Sequence, residues 1–153
     1  MISESQFRLP PEVDLTVLSF FFHLAWEFLQ APLFSSMHGV SHLAGIVTCL
    51  QATIGDVAIA LVAFWGAAVF ANSRRWFIAP RLRDLTTFLA IGIGITIGLE
   101  YLHTEITGRW TYGDQMPILP VLGTGLSPLM QWLIMPILSL WYLRRLQPTK
   151  PSQ

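Results

Sequence analysis

Charge and cysteine are both scarce in this 153-residue chain. Charged residues make up 12% of it, where a soluble domain carries about a quarter. Lysine plus arginine and aspartate plus glutamate number nine each, so the formal net charge is zero. Such a chain offers no basic footprint for a polyanion, and no nucleic-acid partner is expected. The single cysteine, Cys49, excludes an internal disulfide and leaves no C-x-x-C motif for a metal or redox centre. The N-terminus is not expected to act as a secretory signal. Residues 1–14 carry Glu4, Glu12 and Asp14 against Arg8, and no small-x-small cleavage site follows the apolar run. The first apolar segment is therefore expected to stay in the protein.

What is abundant is hydrophobic side chain, 53% of the residues, with a mean hydropathy of +0.55. A helix crosses a bilayer core with roughly 20 apolar residues. Four stretches qualify, at about 13–31, 53–71, 84–106 and 127–143. Pro32 ends the first, and Pro136 is expected to kink the last. A semi-polar stretch, 35–51, precedes the second and reads as a short interfacial helix. The expected fold is all-α, a polytopic four-transmembrane-helix bundle. It would form one domain over residues 1–146, followed by a short polar tail, 147–153.

Arginine and lysine give the orientation. Arg74, Arg75, Arg81 and Arg83 lie between spans two and three. Arg144, Arg145 and Lys150 follow span four, and Arg8 precedes span one; only Arg109 falls in the other loops. The positive-inside rule then puts both termini in the cytoplasm, with the plasma (inner) membrane as the expected location. Trp65, Trp76, Trp110, Tyr112, Trp141 and Tyr142 are expected mostly at the two interfaces.

Inside these apolar spans run two polar stripes. Ser19, His23, Glu27 and Gln30 share one helical face, and Thr96, Glu100, His103 and Thr107 share another. The opposite face of span three carries Ala90, Gly94 and Gly98, a spacing that lets another helix approach closely. Asp56 lies near the outer end of span two, and Ser127 and Gln131 near the outer end of span four. At 1.5 Å per residue, Glu27, Asp56, Glu100 and Gln131 all fall in the outer half of the membrane. The cytoplasmic halves hold almost no ionisable group.

An ionisable residue at mid-membrane costs roughly 2.5–3.5 kcal/mol on insertion scales and marks function by default. A His four residues from a Glu can exchange a proton with it, the requirement for acid/base work. His23, Glu27 and Glu100 are therefore candidate proton-transfer groups, with Gln30, Asp56, His103 and Gln131 as candidate ligand-binding groups. The bland alternative is a structural network that ties four helices together. Arg109, in the outer loop 108–114, can clamp an anionic head group, or can pair locally with Glu105 or Asp114. His38 and His42 form H-x-x-x-H, which on one helix face could ligate a metal. Solvated interfacial histidines are the other reading. If instead one helix ran from His38 to Asp56, they would stand roughly 27 Å apart. Glu100 and His103 match only half of a di-iron carboxylate pattern, and His23 and His103 differ in depth, which disfavours a bis-histidine haem. No cofactor is expected.

The pattern resembles the EXPERA domain, the four-helix membrane fold of sterol-isomerase and emopamil-binding proteins. His23 to Glu27 resembles that family's H-x-x-x-E on its first helix. Tyr101, Leu102, Thr104 and Glu105 resemble its Y-x-L-T-E-like third-helix end, and Trp132 with Pro136 its W-x-x-x-P. The order and spacing hold from about residue 20 to 137. The resemblance implies that His23 and Glu27 act as proton donor and acceptor, and that Trp132 faces a carbocation-like intermediate. The chain departs from the family at Gln51, where the family has Glu, and at Gln131, where the amide sits at a different offset. Asp56 and Glu100 have no assigned counterpart.

Three functions stay open on the sequence. One is a site for an apolar ligand such as a sterol, an isoprenoid or another lipid, with isomerase-type acid/base chemistry. Another is a proton- or ion-coupled permeation protein using Glu27, Asp56 and Glu100. The third is an assembly subunit, dimeric or within a larger membrane complex, packing through Ala90, Gly94 and Gly98.

Overall fold

A computed structural model describes residues 9–147. Most of the expected polar tail, together with Arg8 and Lys150, lies outside the described residues. Among these residues four α-helices account for most of the chain, and the first three begin or end on an identifiable signal.

Helix α1, Pro11–Gln30, opens with proline in its first turn and with Glu12 and Asp14 beside the positive end of the helix dipole. It tightens at its far end into a 3-10 turn, Ala31–Leu33, that contains Pro32. Helix α2, His42–Ala71, starts where the Ser41 hydroxyl accepts from the Ala44 N–H at 3.3 Å. It stops where Asn72 turns left-handed, with φ 52°. Helix α3, Leu82–Tyr101, is capped by Asp84, whose carboxylate accepts from the Arg81 N–H at 3.1 Å. A π-turn, Leu102–Ile106, widens the end of α3. Helix α4, Leu126–Leu146, runs unbroken through Pro136.

The short interfacial helix expected before the second span is not a separate element. Between His42 and residue 53 nothing breaks the backbone, and α2 is one helix of 30 residues, about 45 Å long at 1.5 Å per residue. The polarity change there marks where α2 leaves the apolar region, not where it ends.

The helices form a four-cornered bundle in which α1 and α3 each pack on both α2 and α4. No helix of the four is central. Its inner stripe is Phe88, Gly92, Thr96 and Glu100. Ala90, Gly94 and Gly98 point outward, and a methyl added at either glycine would meet nothing within 4 Å. Among the described residues three helical stretches are long and apolar enough to cross a membrane: His42–Ala71, Leu82–Ile106 and Leu126–Leu146.

The bundle has two unlike ends. At one, Leu15, Phe64, Phe77, Phe88, Leu140 and Leu143 interlock into a dry core. Trp76 belongs to that core rather than to an interface. Its ring packs on Phe64 and Phe88, and its indole N–H donates to the Phe64 carbonyl at 3.2 Å. The arginines cluster around this end. Arg74 pairs with Glu12, and Arg144 donates to the Ile78 carbonyl at 3.1 Å. At the other end the helices enclose polar side chains, and two loops clasp each other across them. Gly113 N–H donates to the Leu33 carbonyl at 2.8 Å, and Phe34 pairs with Tyr112. A side chain at Gly113 would press on that same carbonyl at 3.1 Å, so this crossing needs glycine.

Candidate functional site

The polar end is organised by one amide. Gln131 projects from the first turns of α4 and is 2% exposed. Its side-chain nitrogen lies 3.0 Å from His23 Nδ1, 3.0 Å from Glu27 Oε1 and 3.0 Å from Asp56 Oδ2. Its oxygen accepts from Gln30 Nε2 at 3.1 Å. One residue of α4 thus joins three residues of α1 to one of α2.

The direction of this network is fixed from its edge. Trp26 Nε1 can only donate, and it reaches Gln30 Oε1 at 3.2 Å, where the Ser127 hydroxyl also donates at 2.8 Å. Gln30 must then turn its NH2 toward Glu27 Oε1, at 2.8 Å, and toward Gln131. Gln131 must answer with its oxygen, which leaves its NH2 facing the histidine and the two carboxyls. Two N–H protons meet three acceptors there. Glu27 and Asp56 each have a further donor, in Gln30 and Trp132, and His23 Nδ1 lies 3.4 Å from Asp56 Oδ2.

Asp56 is held from a second side by Trp132, whose indole N–H donates to Asp56 Oδ1 at 3.1 Å. Trp132 is itself fully buried. Its ring lies against His23, with centroids 5.4 Å apart, and against Gly92, where a methyl group would collide with it. Only glycine lets α3 come this close to the ring.

In front of the network lies a cavity of about 230 Å³. Glu27, Gln30, Asp56, Glu100, His103 and Gln131 line it, as do Arg109 and Cys49. His23 and Trp132 do not; they stand behind the wall, touching the groups that do. Glu100 enters from α3 and accepts a hydrogen bond from the Tyr112 hydroxyl. Burial pushes the Tyr112 phenol above its ordinary pKa, and the Glu100 hydrogen bond acts in the same direction. Thr107 falls away from the stripe expected on span three. The π-turn adds a residue to the last turn, leaving Thr107 exposed at the rim, bonded to His103 Nδ1 at 3.3 Å.

Two expectations of local pairing are corrected. Arg109 pairs with neither Glu105 nor Asp114; it donates to Gln51 Oε1 at 3.1 Å, because the chain after the π-turn carries it back across α2. His38 and His42 do not share a helix face. The helix begins at His42, and the His38 ring lies 3.1 Å from the Pro32 carbonyl. Among the described residues no three His, Cys, Asp or Glu side chains are grouped to hold a metal ion. In the His23, Glu27 and Asp56 group the central position is taken by the amide nitrogen of Gln131.

Tyr112, Gln51 and Trp26 are the site residues that periodicity passes over. Tyr112 and Gln51 reach it through loop closure and a long-range pairing, which no spacing along one helix reveals. Trp26 lies between His23 and Gln30 in sequence, and only its bond to Gln30 shows its role.

Fold and site together define a helical bundle with three stretches of membrane-spanning character and an acid-lined cavity at one end. Comparison with protein-family models, with curated proteins and with solved structures gives no match for this chain.

Proposed function

We propose that the chain is a four-span integral membrane protein whose cavity binds an apolar ligand of sterol, isoprenoid or other lipid type and moves a proton on it. The observation that carries this reading is the set of three carboxyl side chains, Glu27, Asp56 and Glu100, opening onto one cavity in an otherwise apolar bundle. The polar stripe of α1 lowers its hydropathy, but its 20 residues span about 30 Å, so it counts as the fourth span. The arginine-rich end faces the cytoplasm and the cavity opens toward the other side of the inner membrane.

The chemistry is double-bond migration. One carboxylic acid gives its proton to one alkene carbon, leaving the cation on the other, and a neighbouring carboxylate removes a proton from the carbon beyond that cation, so the double bond moves by one position and the site's proton count is conserved. Glu27 and Asp56 are suited to this exchange because they share one amide donor. His23 and Trp132 act on them from behind as positioning residues. This extends the EXPERA resemblance, with the difference that Trp132 holds Asp56 rather than facing the ligand. A transmembrane proton path is less well supported, since Phe64, Phe88, Leu140 and Leu143 fill the opposite end. An assembly role is the second reading. It is favoured by the outward face of Ala90, Gly94 and Gly98, and a chain that stays monomeric in mild detergent and in nanodiscs would refute it.

The test is extraction of the purified protein in mild detergent followed by mass spectrometry. Wild type should carry about one apolar molecule per chain above the lipid background, and Ala52→Trp, which fills the cavity, should lose it. With the recovered molecule in D2O, wild type should incorporate deuterium and Glu27→Gln should not. The same lipid profile in wild type and Ala52→Trp would refute ligand binding, and deuterium uptake by Glu27→Gln would refute the proton step.

A further inference from the structure

The carboxyl groups of the cavity already have donors. Glu27 is served by Gln30 and Gln131, Asp56 by Gln131 and Trp132, and Glu100 by Tyr112. The unfilled groups on the remaining wall are of the opposite kind. Arg109 has a neutral partner, Gln51, and makes no ion pair among the described residues. Its guanidinium lies 5.4 Å from the centroid of the Trp110 ring. Trp110 Nε1 and Thr96 Oγ1 are buried without a well-formed hydrogen bond, the indole N–H of Trp110 only facing the Glu100 carboxyl, and Thr96 as a whole is 6% exposed. Arg109, Gln51, Trp110 and Thr96 all line the cavity. At the other end Arg74 and Arg83 each have a carboxylate, Arg144 donates to the Ile78 carbonyl and Arg145 lies over the Trp141 ring; what sets Arg109 apart is its place on the cavity wall. A cation without an acid, an indole N–H without a well-formed bond and a free hydroxyl together ask for an oxyanion.

We propose that the mouth of this cavity binds the oxyanion head, phosphate or carboxylate, of a single-chain amphiphile. Arg109 supplies the cation and Trp110 Nε1 the neutral donor. The chain runs past Phe34 and Val40 toward Glu27 and Asp56. One chain is the fit, because about 230 Å³ lies below the roughly 300–1,000 Å³ of sites that enclose drug-sized ligands. The inference rests on the reading that the cavity takes an apolar ligand, and it adds the charge and place of the head group.

The test uses the full chain in neutral maltoside detergent, with dodecyl phosphate, dodecanoate and dodecanol as probes and microscale thermophoresis as the readout. At least one anion should bind tenfold or more tightly than dodecanol, and the tighter of the two identifies the head group. Arg109→Gln should reduce that preference to less than threefold. So should Gln51→Glu, which gives Arg109 an internal carboxylate; both positions are exposed, and melting curves verify that the variants fold. Equal binding of dodecanol and both anions overturns the head-group assignment while leaving the apolar cavity standing. A preference that survives in both variants also overturns it. No binding of any probe overturns both readings.

Discussion

Replacing Gln131 with leucine tests the centre of the site, because volume is nearly kept while every polar contact is removed. The amide has two N–H protons for His23, Glu27 and Asp56, and one oxygen for Gln30. At most three good hydrogen bonds are therefore lost at once. An intramolecular hydrogen bond contributes about 1 kcal/mol net in water, and interhelical ones in membranes average about 0.6 kcal/mol. Three of them give a loss of about 2–3 kcal/mol. The residues left behind make this a lower bound, since Glu27 and Asp56 would face each other without a donor between them. The assay is chemical or thermal unfolding in one detergent at fixed protein concentration, read by tryptophan fluorescence. Gln131→Glu is the companion variant. It puts a third carboxyl group among the other two, so it should be the less stable variant at pH 8 and recover toward wild type at pH 5. If Gln131→Leu stays within about 0.5 kcal/mol of wild type, the range of ordinary surface substitutions, the amide does not organise the site. If Gln131→Glu shows no recovery on acidification, the two carboxyls do not share the space assigned to them.

Three further outcomes are expected. Tyr112→Phe removes the donor to Glu100 and should speed amide exchange across the 107–125 loop. In alkaline absorbance titration it should also remove a phenol that ionises above the ordinary tyrosine value. Because the folded pKa of Tyr112 is raised, its contribution is complete below the ordinary tyrosine value and is lost as pH rises through the folded one. Arg74→Ala should cost less than about 1 kcal/mol, since the arginine side chain is 71% exposed. Unfolding of wild type and Arg74→Ala side by side in one detergent checks this, and a loss well above that value would show that the pair anchors α1. Gly92→Ala should destabilise by about 1–3 kcal/mol through the collision with Trp132. Gly98→Ala on the open face should instead gain up to about 1 kcal/mol of helix propensity. Equal effects at the two glycines would refute the close approach of α3 to that ring.

What the sequence made legible was whatever repeats along one helix. Ser19, His23 and Gln30 are buried as their spacing requires, and Phe88, Gly92, Thr96 and Glu100 follow the same rule on α3. That rule fails where the helix stops being regular. The π-turn at Leu102–Ile106 displaces Thr107, and no proline or glycine within it announces the change. Pairings through loop closure are invisible in the same way. Tyr112 meets Glu100, and Arg109 meets Gln51 rather than the acids near it in sequence, because the loop 107–125 is clasped to Leu33 and Phe34. The continuity of α2 was misread because polarity changes near residue 52 while the backbone signals do not.

The two ends of the bundle explain how such a site is tolerated. Converging carboxyls destabilise the structure that holds them, as strained or charged functional groups do elsewhere. Here they are confined to the end closed by loops. The interlocked aromatic core of Phe64, Trp76, Phe77 and Phe88 lies at the other end. Trp132 and Gly92 mark the boundary, since the ring that seals the dry side also gives its N–H to Asp56 on the polar side. Substitutions on the two sides should then separate. Phe88→Ala should lower stability by the several kcal/mol typical of a buried aromatic, whereas Glu27→Gln should leave the folded yield nearly unchanged and abolish proton exchange. A collapse of the folded protein in Glu27→Gln would mean that the carboxyl network holds the bundle together, and that its convergence on the cavity is structural.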